Sequence, residues 1–345
     1  MPKQFSLRLM LAVVTVLCIG LSVWAVPAER QRRAVAALRA LRGAITYDDE
    51  LGRLVSPTRL LPRWLPPDYF HEVASASFIK AQVTDADLVH LRGLKGVRDV
   101  DVSGRPITDA GMPHLASLKS LEELSLARVQ VTDAGLVHLR GLTGLQRLVL
   151  SRDQIVGDGL RAVQGLTGLK ELHLAGTPLT DVGLAHLRKL AVLQELGLAD
   201  TQVTDKGLLH LRGLRSLRTL DLSNTKLTDD GLAHLAQLTN LQTLNLCRTE
   251  LTDAGLIHLR DLPNLEKLFL RDTRITDAGL IQLKEMSRLR DIWLGGTQVT
   301  DAGLIHLEGL TSLRSLDVGN TQVTDAGRED FRRASPSCQV GTGFF

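Results

Sequence analysis

The pair Thr-Asp recurs at a fixed 24-residue interval through most of the chain. It stands at Thr84-Asp85, Thr108-Asp109, Thr132-Asp133, Thr180-Asp181, Thr204-Asp205, Thr228-Asp229, Thr252-Asp253, Thr276-Asp277, Thr300-Asp301 and Thr324-Asp325. One register is skipped, at Val156-Gly157, without a shift in the period. One period held from residue 73 to about residue 335 specifies a solenoid, in which each unit touches only its neighbours.

A single unit, Leu217 to Asn240, shows what repeats. Leu217, Leu220 and Leu222 follow LxxLxL, whose last two leucines alternate as in a strand. Thr225 and Leu227 close a turn. Thr228-Asp229 then supplies capping oxygens for a helix, and Leu232, Leu235 and Leu238 give that helix one apolar stripe. Strand and helix are apolar on one side only, so neither buries its face alone. Parallel stacking encloses an aliphatic core between a strand layer and a helix layer. Helices are wider than the ~4.8 Å strand spacing, so the stack must curve with its strands inside. The expected fold class is α/β: a horseshoe of about 11 units, with parallel strands on the concave face and short helices on the convex face.

Composition agrees. The 345 residues are 44% hydrophobic but only 3% aromatic, so the core must be aliphatic. A net charge of +3 is too balanced to argue for nucleic acid. Three cysteines exclude a disulfide scaffold or a Cys-rich zinc module.

The pattern LxxLxLxxTxVTDxGLxHLxxL resembles a leucine-rich repeat, and most closely the cysteine-containing subclass with its I-T-D-x-G-L segment. The resemblance implies a horseshoe and a protein-binding role, usually on the concave face. At the turn position, where that subclass has Cys or Asn, this chain has Thr177, Thr201, Thr225, Thr249, Thr273, Thr297 and Thr321. The first four units have Ala81, Arg105, Val129 and Asp153 there. A column of hydroxyls can bond the backbone of neighbouring turns; the early units lack it and are expected to be looser.

Leu9 to Val26 is one apolar run, preceded by Lys3 and Arg8 and followed by Arg30, Arg32 and Arg33. It suits a membrane anchor, the alternative being a cleaved signal peptide followed by secretion. With the Arg-rich segment after it, it also resembles the start of bacterial membrane-anchored leucine-rich repeat proteins. The expected organisation is residues 1–28 as anchor or signal, 29–72 as juxtamembrane helix and N-terminal cap, 73–335 as the repeat domain and 336–345 as C-terminal tail. Glu29 to Arg42 reads as an amphipathic helix stopped near Gly43, and Ala44 to Tyr47 as a short strand. Trp64, Tyr69 and Phe70 are expected to cover the open end of the repeats.

Eight histidines share one repeat position, from His90 to His306. A residue repeated in nearly every unit serves the unit, through a hydrogen bond to an adjacent turn, and Ala162 and Gln282 interrupt the column. The Thr-Asp pairs read as helix caps. No unit carries a distinct nucleophile, base and orienter, and there is no phosphate loop, HExxH or GxSxG. No enzyme activity, cofactor or metal site is expected.

The informative variation lies on the strand face. Residues between the strand leucines run from Ser77 to Asp317, and the first half of that face is acidic. Phe269 and Trp293 occupy this position in adjacent units and are the only aromatics between residues 79 and 330. Arg248, Lys267, Arg271 and Asp291 flank them. Aromatics beside arginine are the usual anchors of protein interfaces. These six residues are the expected binding site for a protein partner of a monomeric repeat domain; the alternatives are a scaffold without a dedicated site or a regulatory subunit of an enzyme complex.

Overall fold

The computed structural model describes Thr15, residues 26–47 and residues 72–343. The apolar run 9–26 lies outside the described residues apart from Thr15 and Val26, as do Trp64, Tyr69 and Phe70. Among the described residues no helix is long and apolar enough to cross a membrane.

The described residues form one sheet in chain order. Its strands are β1 (Ala44–Tyr47), β2 (Val73–Ser77), β3 (Asp99–Asp101), β4 (Glu123–Ser125), β5 (Arg147–Val149), β6 (Glu171–His173), β7 (Glu195–Gly197), β8 (Thr219–Asp221), β9 (Thr243–Asn245), β10 (Lys267–Phe269), β11 (Asp291–Trp293), β12 (Ser315–Asp317) and β13 (Gln339–Gly341). From β2 to β13 every pair is parallel, with partners 24 residues apart, as in Leu220 opposite Leu244. β1 alone runs antiparallel, pairing with β2. β2 to β12 supply the eleven expected repeats, and β13 is the extra strand of the tail. The repeat leucines are inaccessible and merge into one continuous core.

The convex layer differs from the expected helix. Most units make one α-turn, such as Asp229–Leu232, followed by a 3₁₀ segment, such as Ala233–Leu235; others are wholly 3₁₀. Apolar residues at every third position match the 3.0-residue turn of a 3₁₀ helix better than the 3.6 of an α-helix.

The Thr-Asp pair does more than cap. Thr228 donates through its hydroxyl to Asp205 Oδ2 at 2.7 Å and through its backbone N–H to Asp205 Oδ1 at 2.9 Å. Thr252 meets Asp229 in the same way, and the pattern runs on to Thr324 on Asp301. Each Asp therefore ties its unit to the next. The Gly of TDxG makes room for this bond: a Cβ on Gly231 would overlap Asp205 Oδ1. The first unit has no unit before it and carries Asp87 instead, whose carboxylate accepts from the Thr84 N–H and hydroxyl at 2.9 and 2.8 Å. The ladder lapses once, at the skipped register, where the Gly157 N–H reaches Asp133 at 3.2 Å and Thr180 N–H donates to the Val156 carbonyl instead.

The threonines of the turn column bond differently from expectation. Each donates to the carbonyl three residues back in its own turn, as Thr225 does to Leu222 at 2.6 Å, rather than to a neighbouring unit. The early units span units directly: Arg105 Nη1 reaches the Ala81 carbonyl and Val129 N–H donates to Asp153 Oδ1, both at 2.8 Å. Asp153 is 1% exposed, and its Oδ2 has no partner.

Both ends are closed. Residues 26–40 form a helix whose Ala34, Val35 and Leu38 join the core, and Ala34 packs closely on Gly93 of the first unit. Its left-handed terminal residue is Arg42, at φ 62°, one position before the expected Gly43. At the far end the ten-residue helix Asp325–Ala334 buries Phe331.

Replacing Gly231 with Ala should lower stability by ~1–3 kcal/mol in denaturant titration, because the methyl displaces Asp205. Gly309→Ala, where a Cβ meets nothing within 4 Å, should change it by less than ~0.5 kcal/mol. Equal effects would contradict the spacing role of the first glycine. Asp153 yields a pH test. Burial raises its pKa from 3.8 to about 8, against a lowering by the Val129 N–H. The folded chain therefore holds the proton more tightly than the unfolded chain. Stability should fall as pH rises from about 4 to about 8 and level off above that, with a slope of up to ~1.4 kcal/mol per pH unit relative to Asp153→Asn. Parallel pH profiles for the two proteins would contradict this.

Candidate functional site

Strand register decides what shares the concave face. β10 and β11 place Phe269 opposite Trp293 and Lys267 opposite Asp291. The rings lie 4.3 Å apart between centroids, tilted by 41°, just under the ~4.5–7 Å centroid separation of typical aromatic pairs. Both side chains are half-buried. Lys267 Nζ stands 3.5 Å from Asp291 Oδ2 across the same two strands. Arg271 lies just beyond Phe269, its Nε near Gly295 at the end of the neighbouring strand. Arg248 projects from the rim, 69% exposed, with Nε 3.4 Å from Asp272 Oδ2; an exposed pair of this kind contributes ~0–1 kcal/mol. The register thus brings Lys267, Phe269, Asp291 and Trp293 into one patch, with Arg248 and Arg271 along its edge.

One feature of this edge is not legible from residue types. The position after each strand turn adopts a left-handed backbone in ten successive units, from Gly104 to Asn320. Gly, Asn or Asp fills seven of them, as that conformation favours. Arg128, Arg152 and Arg248 fill the others, at φ 59°, 65° and 55°. Arginine costs stability there, and strain kept at a surface position is a marker of functional use.

The other candidate groups are structural or inert. His234 Nδ1 bonds Arg212 Nη2, and His186 Nδ1 bonds Gln164 Nε2, each at 2.7 Å. These histidines tie to a side chain of the preceding unit rather than to a turn. Burial, then Arg212, lowers the pKa of His234, and burial, then Arg92, that of His114. Burial pushes the Cys247 and Cys338 thiols up to about 11, far from the range of a nucleophilic thiol. The acidic first half of the face forms a shallow cavity of about 260 Å³ lined by Asp99, Asp101, Glu123 and Arg147, where burial raises the Asp99 pKa.

Leucine-rich repeat family models match residues 215–275 and 309–331. These are leucine-rich repeats. No curated protein sequence matches the chain. The repeat solenoid superposes on an internalin (inlF) of Listeria monocytogenes with a TM-score of 0.57 and 20% identity, over 81% of this chain and 91% of that one. It is also similar to the leucine-rich repeat ectodomain of the plant membrane receptor kinase GASSHO1/SCHENGEN3 from Arabidopsis thaliana, solved in complex with CASPARIAN STRIP INTEGRITY FACTOR 2. There the TM-score is 0.53 at 18% identity, over 78% of this chain and 38% of that one. At these identities both likenesses are of fold.

Replacing Arg248 with Asn, which tolerates the left-handed region, should raise stability by ~1 kcal/mol in denaturant titration. A loss would show that the arginine's contacts outweigh its backbone strain.

Proposed function

We propose that this leucine-rich repeat chain is a non-enzymatic protein-interaction module that captures a protein partner on its concave face, centred on Phe269 and Trp293. The observation that carries this reading is the tilted aromatic pair, half-open to solvent and flanked by Arg248, Lys267, Arg271 and Asp291. It interrupts a concave face that is otherwise polar and aliphatic. Two adjacent rings offer a partner a large apolar contact with little side-chain entropy to lose, and the charges around them set orientation. The receptor ectodomain with the same fold was solved with a partner bound, which supports a binding role.

The cysteine-containing subclass and the membrane-anchored type belong to the same proposal. They rest on the VTDxGL segment and on the apolar run Leu9–Val26 with its flanking basic residues. The anchor would hold the repeat domain beside a membrane, where its partner would reach the concave face.

Replacing Phe269 and Trp293 together with Ala should weaken capture of the membrane-recovered partner by ~2 kcal/mol or more. Circular dichroism should be unchanged, since both rings lie outside the core. Unaltered affinity in a folded double variant would refute the site.

A further inference from the structure

Four strands before the aromatic pair, β6 and β7 place Glu171 directly opposite Glu195 and His173 opposite Gly197. Two carboxylates facing each other across neighbouring strands repel. One donor atom from each of Glu171, His173 and Glu195 can be chosen so that all lie within 4.8 Å of one another. His173 Nε2 is buried without a hydrogen-bond partner. Its nearest carboxylate oxygen, Glu195 Oε1, is 3.6 Å away, too far to bond. Arg147 donates to Oε2 of Glu171.

Room for the ring is provided. Gly197 is the one glycine in strands β2 to β12. A Cβ there would stand 3.1 Å from His173 Nδ1. The imidazole leans over the gap left by the missing side chain.

We propose that Glu171, His173 and Glu195 form a binding site for a divalent transition-metal ion of the zinc class. One imidazole and two carboxylates suit such an ion, whereas calcium and magnesium favour all-oxygen sets. The cation offsets the repulsion between the two glutamates and gives His173 Nε2 the partner it lacks. Three protein ligands leave a coordination position for water or for a donor from a bound protein. The site is independent of the aromatic pair.

Calorimetric titration of the full chain with Zn²⁺ alone tests the assignment. One saturable ion per chain is expected. His173→Ala and Glu195→Gln should each weaken it at least ~10-fold, while His210→Ala, on the convex histidine column, should leave it unchanged. Co²⁺ in place of zinc should give visible ligand-field absorption that His173→Ala abolishes. Circular dichroism of the variants establishes that they fold. Absence of a saturable site, or wild-type affinity in both the His173 and Glu195 variants, would overturn the proposal and mark any bound metal as an adventitious ion on the convex histidines.

Discussion

No unit of this chain can bury its leucines alone, and everything else in the structure follows from that. A three-residue strand and a short helical turn have no inside until the next copy is laid against them. The core is therefore built only between units, and it must be closed at both ends. Ala34, Val35 and Leu38 close one end, and Phe331 closes the other. Register between units then matters more than the conformation of any one unit. The Asp–Thr bond fixes that register at every step outside the skipped unit, and the glycine three residues after the Thr keeps the Asp's place clear. The motif TDxG reads as a joint between copies as much as a helix start.

The same constraint separates structure from function. Residues that serve stacking recur in every unit; those that serve a partner need not. The histidine column, the threonines and the aspartates recur, and their bonds stay within the solenoid. The concave strand positions change from unit to unit, and the parallel register sets each beside its counterpart about one strand spacing away. Chemistry on this face is built from residues 22, 24 or 26 positions apart in sequence. Phe269 with Trp293, and His173 with Glu195, are two products of this arrangement.

The solenoid, its strand face and the aromatic pair were legible because each depends only on the period. Phe269 and Trp293 share one repeat position, so stacking had to bring them together. The joints were not legible, because a Thr followed by Asp looks the same whether it caps its own helix or grips the next. The 3₁₀ character was visible in leucines spaced by threes, yet short helices of both kinds tolerate that spacing. The left-handed position after each strand was hidden where arginine occupies it, since Arg128, Arg152 and Arg248 carry no turn signal. The Glu171, His173 and Glu195 cluster was missed because its members sit at two different repeat positions in two units. The available signal was the glycine at 197, which breaks a column of side chains beside the one concave histidine.

Hydroxyl-radical footprinting of the chain, free and bound to its captured partner, tests the central claim most directly. Both rings are part-open to solvent and aromatic side chains react readily, so each reports its own burial. The account predicts that Phe269 and Trp293 lose most of their reactivity in the complex while the exposed convex residues Ile257, Ile281 and Ile305 keep theirs. Undiminished labelling of both rings, with protection of those isoleucines, would place the partner on the opposite face and contradict it.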